Sequence, residues 1–207
     1  MLSLSFTPFN HIANLMRLNM PYDYDTLVVE LEKEDWEKSS REDIGIQWPG
    51  GGRAKLDYPA SPILRKIIDY LRSSEAKKAV IENLYETIHQ LPGRWNYWTV
   101  ERMFANTTLH GELTRDAPGF VQQVHLDSKI LVATGMIYLT PHQDVNWETA
   151  FHSSKEDDAT LQYAPSDFGN GWMHMNDWDS WHSGGNRTDQ MRYTILVPLT
   201  LAASIKV

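Results

Sequence analysis

The chain has 207 residues, a formal net charge of -8 and no cysteine. This length predicts one domain with a sizeable core, and no apolar run approaches the roughly 18 residues that a membrane-spanning helix requires. Without cysteine there are no disulfides, thiolate nucleophiles or iron-sulfur sites, so any metal has to be held by His, Asp and Glu. The acidic balance, with Lys and Arg scattered, argues against nucleic acid as a partner.

The N-terminal segment has no basic stretch ahead of an apolar run, so no secretory signal is evident and a cytoplasmic location is expected. Residues 1–19 predict an arm or a short strand, and residues 26–31 fit either a strand or the start of a helix. Pro49 and the glycines behind it predict a break, which is either a linker or a flexible loop near a site.

Two helices are predicted next. Ser61 and Pro62 suit the N-cap and first positions of a helix, and apolar residues recur behind them. A second helix is predicted from Ser74, with apolar residues at four-residue spacing, and Pro92 ends it. We interpret residues 1–97 as a helical and irregular extension whose helices brace one face of a sheet.

Residues 98–207 show the pattern of short strands separated by Pro, Gly and Asn. The strand-like segments are residues 98–113, 119–124, 130–139, 171–175 and 193–201. This pattern predicts a β-sandwich or jelly roll. The two parts, 1–97 and 98–207, are expected to form one structural unit.

A histidine followed two residues later by an acid occurs three times, at His110, His125 and His142. His142 follows a proline, where a turn is favoured. His110 stays a candidate, although nothing downstream is spaced to support it. His125 ends a strand-like run. Residues at i and i+2 of a strand point to the same face, so that His125 and Asp127 can reach one ion together.

A third ligand is expected from a strand near the end of the sheet, and His182 is the best placed histidine. Taken alone, His182 also fits a surface or hydrogen-bonded histidine. Two imidazoles and one carboxylate on one face of a metal form the facial triad of non-heme Fe(II) oxygenases, which leaves positions open for other ligands. We therefore predict a metal site at His125, Asp127 and His182.

Arg192 begins a strongly strand-forming run, where an unpaired guanidinium would be out of place. Its planar group suits a bound carboxylate, and Thr194, on the same face at i+2, can add a hydroxyl donor. An internal ion pair with a protein carboxylate is the alternative. Four tryptophans near these residues in sequence either line a substrate cavity or pack in the core: Trp147, Trp172, Trp178 and Trp181.

In these motifs the chain resembles the prolyl-hydroxylase-like branch of the Fe(II)/2-oxoglutarate-dependent dioxygenase superfamily. The resemblance covers about residues 98–202. It rests on His125-x-Asp127, Ile137-Tyr138-Leu139-Thr140, Trp147-Glu148-Thr149-Ala150-Phe151, Trp181-His182 and Arg192-Tyr193-Thr194-Ile195. Many relatives have a lysine where Arg192 stands, and the Gly-Gly-Glu-Thr stretch that they often show reads Asn146-Trp147-Glu148-Thr149 here.

The resemblance implies a double-stranded β-helix with N-terminal helices on the outside of the major sheet. It implies that His125, Asp127 and His182 bind Fe(II), and that Arg192 and Tyr138, with Thr194 as a weaker candidate, hold the distal carboxylate of 2-oxoglutarate. Ascorbate is a candidate reductant.

The implied reaction hydroxylates a C–H bond of a peptide, prolyl residues included, or of a small molecule, and converts 2-oxoglutarate to succinate and CO2. Two alternatives remain open from the residues alone. One is a non-catalytic jelly-roll module that binds a sugar or peptide. The other is a cupin-type metal enzyme that does not use 2-oxoglutarate.

Overall fold

The computed structural model describes residues 1–10, 13–36, 52–88, 95, 97–140, 149–155, 160–176, 180–186 and 188–202. Several predictions concern residues outside this part of the chain. They are the break at residues 49–51, the helix stop at Pro92 and Gly93, the motif His142-x-Asp144, and the side chains of Trp147, Glu148 and Trp178.

The helices of the described part are α1 (Tyr24–Glu32), α2 (Pro62–Leu71), α3 (Ser74–Ile88) and α4 (Val100–Asn106). The strands are β1 (Ser3–Pro8), β2 (Ala13–Asn19), β3 (Arg53–Leu56), β4 (Thr107–Leu109), β5 (Glu112–Asp116), β6 (Phe120–His125), β7 (Leu131–Tyr138), β8 (Ala150–His152), β9 (Thr160–Tyr163), β10 (Asn170–Met175), β11 (His182–Asn186), β12 (Arg192–Leu196) and β13 (Leu199–Leu201). None of these helices is long and apolar enough to cross a membrane.

The strands form two antiparallel sheets. The major sheet has the order β1-β2-β10-β7-β12-β5-β3, with β13 and β4 paired beside β7, and the minor sheet has the order β6-β11-β8-β9. An apolar cluster joins the two sheets, since Tyr138 and Trp172 of the major sheet pack with Phe151 of the minor sheet. This architecture confirms the predicted double-stranded β-helix, or jelly roll.

The helices pack on the other face of the major sheet. Ile67 and Leu71 of α2 and Leu84 of α3 belong to one buried cluster with Val132 and Ile195 of the sheet. The predicted start of α2 is confirmed, because Ser61 is the N-cap, its side chain accepts from the backbone N–H of Leu64, and proline follows it. The helix predicted from Ser74 is also present.

Two parts of the secondary-structure prediction differ from the structure. Residues 100–106, predicted as strand, form α4, because Thr99 caps the helix by accepting from the backbone N–H of Arg102 and the helix buries Met103. The extension of residues 1–97 also supplies strands, since β1 and β2 lengthen the major sheet at one edge and β3 at the other. In the edge strand β3, Arg53 is paired in register with Asp116 of β5.

Candidate functional site

His125 and His182 lie side by side on adjacent strands of the minor sheet. His125 is the last residue of β6 and His182 the first of β11, and the two are partners in the antiparallel register, with ring centroids 4.3 Å apart. Asp127 follows two residues after the end of β6. Its Oδ1 lies 3.6 Å from His125 Nε2 and its Oδ2 lies 3.7 Å from His182 Nε2. The structure therefore brings together the three predicted metal ligands, with one ligand atom of each within 4.8 Å of the others.

The backbone sets the orientation of both imidazoles. His125 Nδ1 lies 2.8 Å from the carbonyl oxygen of Gln123, and His182 Nδ1 lies 3.0 Å from that of Ser180. A carbonyl oxygen can only accept, so Nδ1 carries the hydrogen and Nε2 presents its lone pair to the site. A backbone carbonyl behind the imidazole is the usual support of a metal-binding histidine.

The electrostatics favour the ligand forms of these side chains. Burial lowers the pKa of the His182 imidazole to about 3, so that His182 is neutral at pH 7. Burial acts to raise the pKa of Asp127, but the neighbouring His125, His174 and His182 bring it below its ordinary value. A neutral imidazole and an ionised carboxylate are the forms that bind a metal ion.

A fourth residue at this site, His174 of β10, was not predicted. Its side chain is fully buried and stacks on Trp172, its Nδ1 lies 3.0 Å from the carbonyl oxygen of Met175, and its Nε2 lies 3.6 Å from Asp127 Oδ2. Among the described residues, neither this Nε2 nor this Oδ2 has a hydrogen-bond partner. Two buried acceptors that face each other are costly unless a cation lies near both. We call His125, Asp127, His174 and His182 the histidine cluster.

The side chain of Gln122 forms a hydrogen bond with one of the candidate ligand atoms. Its side-chain Nε2 lies 2.8 Å from His125 Nε2, and because the amide nitrogen can only donate, it uses the imidazole lone pair. Gln122 and His125 both lie on the wall of the same cavity. An ion at His125 therefore has to displace this amide.

The cavity has a volume of about 800 Å³, which is typical of a small-molecule site. Its polar wall contains His125, Asp127, His182, Arg53 and Arg192. Apolar side chains, among them Ile130, Met136 and Leu196, form the rest of the wall together with Trp172. Lining a cavity was one of the two positions that the sequence left open for Trp172. The three predicted metal ligands and the arginine predicted to bind a carboxylate thus share one cavity.

Arg192 also makes an internal ion pair. Its Nη2 and Nε donate to Asp116 Oδ2 at 2.5 and 3.1 Å, and its Nη1 donates to the carbonyl oxygen of Gly185 at 2.5 Å. Gly185 lies on β11, the strand that begins with His182, so the guanidinium of Arg192 bridges the two sheets. The sequence left an ion pair with a protein carboxylate as the alternative for Arg192. The structure contains that ion pair, and the same side chain also lines the cavity.

Asp116 has a second partner that the sequence did not reveal. Arg53 donates from Nε to Asp116 Oδ1 at 2.6 Å and from Nη2 to Oδ2 at 2.9 Å. Burial acts to raise the pKa of Asp116, but Arg53 and Arg192 bring it below its ordinary value. We call Arg53, Asp116 and Arg192 the arginine cluster.

Tyr138 and Thr194 lie behind the cavity wall. The Tyr138 hydroxyl donates to Thr149 Oγ1 at 3.1 Å and accepts from the Trp172 indole N–H at 3.3 Å. The hydroxyl oxygens of Thr194 and Thr114 lie 2.5 Å apart. Neither Tyr138 nor Thr194 is among the residues that line the cavity, whereas Thr149 and Trp172 are. Their direct contact with a cosubstrate remains a prediction.

No protein family profile and no curated protein matches the chain. Solved structures with the same fold were found. A Pseudomonas putida prolyl-4-hydroxylase superposes with a TM-score of 0.57 at 12% identity, over 92% of this chain and 94% of that one. The viral collagen prolyl hydroxylase of Paramecium Bursaria Chlorella virus-1, in its 2-oxoglutarate complex, superposes with a TM-score of 0.52 at 14% identity, over 86% of this chain and 89% of that one. At this identity the likeness establishes the fold.

Proposed function

We propose that this chain, which has the fold of the prolyl-hydroxylase-like 2-oxoglutarate oxygenases, is an Fe(II)- and 2-oxoglutarate-dependent dioxygenase. Its substrate is a peptide, prolyl residues included, or a small molecule. The observation that carries the proposal is the convergence of His125, Asp127 and His182 on the wall of a cavity that also contains Arg192.

The donor set fits divalent iron. Two neutral imidazole nitrogens and one carboxylate oxygen on one side of the ion are the protein ligands of non-heme Fe(II) oxygenases. Asp127 Oδ2 and His174 Nε2, which have no hydrogen-bond partner in the part of the chain that the structure describes, would both be stabilised by a positive charge between the sheets. His125, Asp127 and His182 would hold the ion, and the backbone carbonyls behind the two imidazoles would keep their Nε2 atoms aimed at it.

The charges of the cavity wall suit a dianionic cosubstrate. The arginine cluster carries two positive charges and one negative charge, and Lys55 is paired with Glu112 at 3.1 Å. We assign the distal carboxylate of 2-oxoglutarate to Arg192. The other end of the molecule would then reach the histidine cluster, where a divalent ion would offset the charge of its carboxylate.

Bound Fe(II) and 2-oxoglutarate would supply the activation of dioxygen, with succinate, CO2 and a hydroxylated substrate as products. The residues of the chain contribute binding, orientation and exclusion of water. Trp172 and Phe151 pack against His174 and limit water around the buried side of the cluster. Ile130 and Leu196 of the cavity wall offer apolar contacts for the carbon skeleton of the substrate.

Calorimetry tests the proposal most directly. Mn(II), which binds such sites without supporting turnover, should bind at one site per chain, and 2-oxoglutarate should bind to the Mn(II) form but only weakly without metal. With Fe(II) and oxygen the chain should then release succinate. Failure of 2-oxoglutarate to bind the metal form would refute the proposal.

The ion pair of Arg192 favours a second candidate, a cupin-type metal enzyme that uses no 2-oxoglutarate, because Asp116 already satisfies part of this guanidinium. Metal binding without 2-oxoglutarate binding in the same titration would support the cupin-type metal enzyme. Absence of both would select the non-catalytic binding module.

The partner class is a separate prediction. Because the chain is acidic and its Lys and Arg are scattered in sequence, we do not expect the phosphate-binding groove that nucleic-acid enzymes need. We expect a peptide or amino-acid pool to stimulate succinate release, and single- or double-stranded DNA or RNA at low salt to have no effect. Oligonucleotide-dependent succinate release would contradict this expectation and leave the metal site untouched.

A further inference from the structure

His174 has the same two contacts as the predicted metal ligands His125 and His182. In each of the three histidines, the imidazole Nδ1 lies 2.8 to 3.0 Å from a backbone carbonyl oxygen, and Nε2 lies 3.6 to 3.7 Å from a carboxylate oxygen of Asp127. Since the carbonyl oxygen can only accept, Nδ1 carries the hydrogen, and Nε2 has a lone pair. These contacts do not distinguish His174 from the other two histidines.

His174 reaches the cluster from the opposite sheet. It lies on β10 of the major sheet, whereas His125 and His182 lie on β6 and β11 of the minor sheet. Its side chain is fully buried, and neither its Nε2 nor Asp127 Oδ2 has a hydrogen-bond partner among the described residues. A lone pair beside a buried carboxylate oxygen is unfavourable, and a metal ion that binds both atoms removes the repulsion.

His152 provides an internal contrast. The two side chains are similarly buried, with His152 5% and His174 0% exposed, but His152 Nε2 lies 2.8 Å from the hydroxyl oxygen of Ser183. A hydroxyl group both donates and accepts, so this contact needs no ion. The distinguishing feature of His174 is that its Nε2 faces a carboxylate oxygen, which can only accept.

We propose that His174 is a fourth protein ligand of the metal ion, an inference that rests on the metal site of the proposed function. The three predicted ligand atoms lie within 4.8 Å of one another, and His174 is outside this group. Its link to the ion is therefore Asp127 Oδ2, which lies 3.6 Å from His174 Nε2 and 3.7 Å from His182 Nε2. An ion bound beside this oxygen accepts the lone pairs of both imidazoles.

A fourth ligand limits what the ion can bind. An octahedral ion with three protein ligands keeps three positions for other molecules, and with four it keeps two. The proposed function needs three, two for the chelating end of 2-oxoglutarate and one for dioxygen. His174 would therefore hold the ion at rest and release it when 2-oxoglutarate binds. It is the ligand to leave, because it lies outside the group of three and does not line the cavity, whereas His125, Asp127 and His182 do.

Proton NMR of the Co(II)-loaded full chain tests the inference. Co(II) shifts the Nδ1–H resonance of each coordinated imidazole far outside the ordinary range, and the backbone carbonyl behind each Nδ1 slows exchange of this hydrogen with water. The wild type should show three such resonances without 2-oxoglutarate, and His174→Phe should show two. Only two resonances in the wild type would overturn the inference, and His174 would then face Asp127 with a proton on Nε2 in place of the ion.

His152→Phe is the matched control and should keep all three resonances, because His152 is buried but bonded to Ser183. His174→Gln serves if the phenylalanine variant does not fold. The count in the wild type decides the inference even if neither variant folds.

Addition of 2-oxoglutarate separates this inference from the proposed function. If both hold, the count in the wild type falls from three to two, and His174→Phe binds 2-oxoglutarate about 2- to 10-fold more tightly than the wild type, because no ligand has to leave. Three resonances that persist with 2-oxoglutarate bound would support His174 as a ligand and contradict the dioxygenase function. If the Co(II) form binds no 2-oxoglutarate, the proposed function fails, and the count without it still decides the role of His174.

Discussion

The histidine cluster and the arginine cluster lie on the same cavity and have opposite charge balance. In the histidine cluster, three Nε2 atoms lie 3.6 to 3.7 Å from the carboxylate oxygens of Asp127, and with neutral imidazoles the cluster carries one negative charge. In the arginine cluster, two guanidinium groups surround the carboxylate of Asp116 and leave a positive charge. Counted over their own side chains, the histidine cluster is negatively charged and the arginine cluster is positively charged.

Two clusters of opposite charge on one cavity are suited to orient a chelating dianion. Under the proposed function, a metal ion would offset the negative charge of the histidine cluster and hold one end of the molecule, and the arginine cluster would hold the other carboxylate. The two clusters are also supported differently. Backbone carbonyls fix the imidazoles, whereas the guanidinium groups are fixed by the carboxylate that they share.

The largest expected effect is loss of the cation site. His182→Ala removes an imidazole that faces Asp127 Oδ2 at 3.7 Å. We expect Mn(II) affinity to fall by more than about 100-fold, beyond the effect of losing an outer partner of a metal ligand, and succinate release to stop. Mn(II) titration and a succinate assay check both.

His110→Ala is the control for this change, because His110 also lines the cavity but its Nε2 is bonded to Thr200. Its Mn(II) affinity should equal that of the wild type. Unreduced metal affinity in His182→Ala would show that this histidine is not a metal ligand.

The second effect is loss of the anion site. Arg192→Met leaves a bound carboxylate without its main partner, which costs about 2 to 5 kcal/mol and weakens 2-oxoglutarate binding by roughly 30-fold to several thousand-fold. Mn(II) affinity should change little, because Arg192 pairs with Asp116 and contacts no histidine of the other cluster among its described hydrogen bonds. Calorimetry with Mn(II) followed by 2-oxoglutarate measures both affinities.

Arg115→Met is a suitable control for this second prediction, since Arg115 precedes Asp116 on β5 but its guanidinium lies over the ring of Trp36. Arg192→Lys tests the geometry, because lysine keeps the charge and loses the planar group. Equal 2-oxoglutarate affinity in Arg192→Met and the wild type would assign Arg192 a structural role alone.

The two clusters also differ in how far the sequence predicts them. His125 and Asp127 are two residues apart, so strand periodicity alone predicts that both can reach one ion. The start of α2 at Ser61 is equally local, because the serine side chain is a preferred N-cap. His174 lacks such a signal, since its neighbours are methionines and the residue two positions later is Asn176. Its place beside Asp127 depends on the pairing of β10 with β7 in the other sheet.

The arginine cluster could not be predicted because its contacts are distant in sequence. Arg53 and Asp116 are 63 residues apart, and Asp116 and Arg192 are 76 apart. The pairing of the edge strand β3 with β5 joins Arg53 to Asp116. In the sequence, β3 directly follows a Pro- and Gly-rich stretch that has no strand or helix periodicity. The strand-forming run that Arg192 begins predicts a partner for its guanidinium, but it does not distinguish a protein carboxylate from the carboxylate of a bound molecule.

The third effect concerns stability and falls on the arginine cluster. Asp116→Asn leaves two buried guanidinium groups side by side and should lower the free energy of unfolding by about 3 to 5 kcal/mol. Urea unfolding at pH 7 measures it. Glu112→Gln, which breaks the more exposed pair with Lys55, should cost less than about 1 kcal/mol. A comparable loss in the two variants would contradict the special role of the shared carboxylate.

The same prediction has a pH dependence. The pKa of Asp116 in the folded chain lies below the model-peptide value of 3.8, because Arg53 and Arg192 favour its ionised form. Its contribution to stability is therefore complete above about pH 3.8 to 5 and is lost as the pH falls through the lower folded pKa. Asp116→Asn should show a shallower loss of stability over this acid range than the wild type.

The smallest expected effect concerns Gln122, beside the histidine cluster. The Gln122 amide donates to His125 Nε2 at 2.8 Å and so uses the lone pair that a metal ion requires. Breaking this hydrogen bond costs about 0.5 to 1.5 kcal/mol, so Gln122→Leu should raise Mn(II) affinity by about 2- to 10-fold. Gln123→Leu, at the adjacent exposed position, should leave it unchanged, because only its backbone carbonyl supports His125. Weaker Mn(II) binding in Gln122→Leu would instead show that the amide holds His125 in its binding orientation, and that the cation site is preformed by side chains as well as by the backbone.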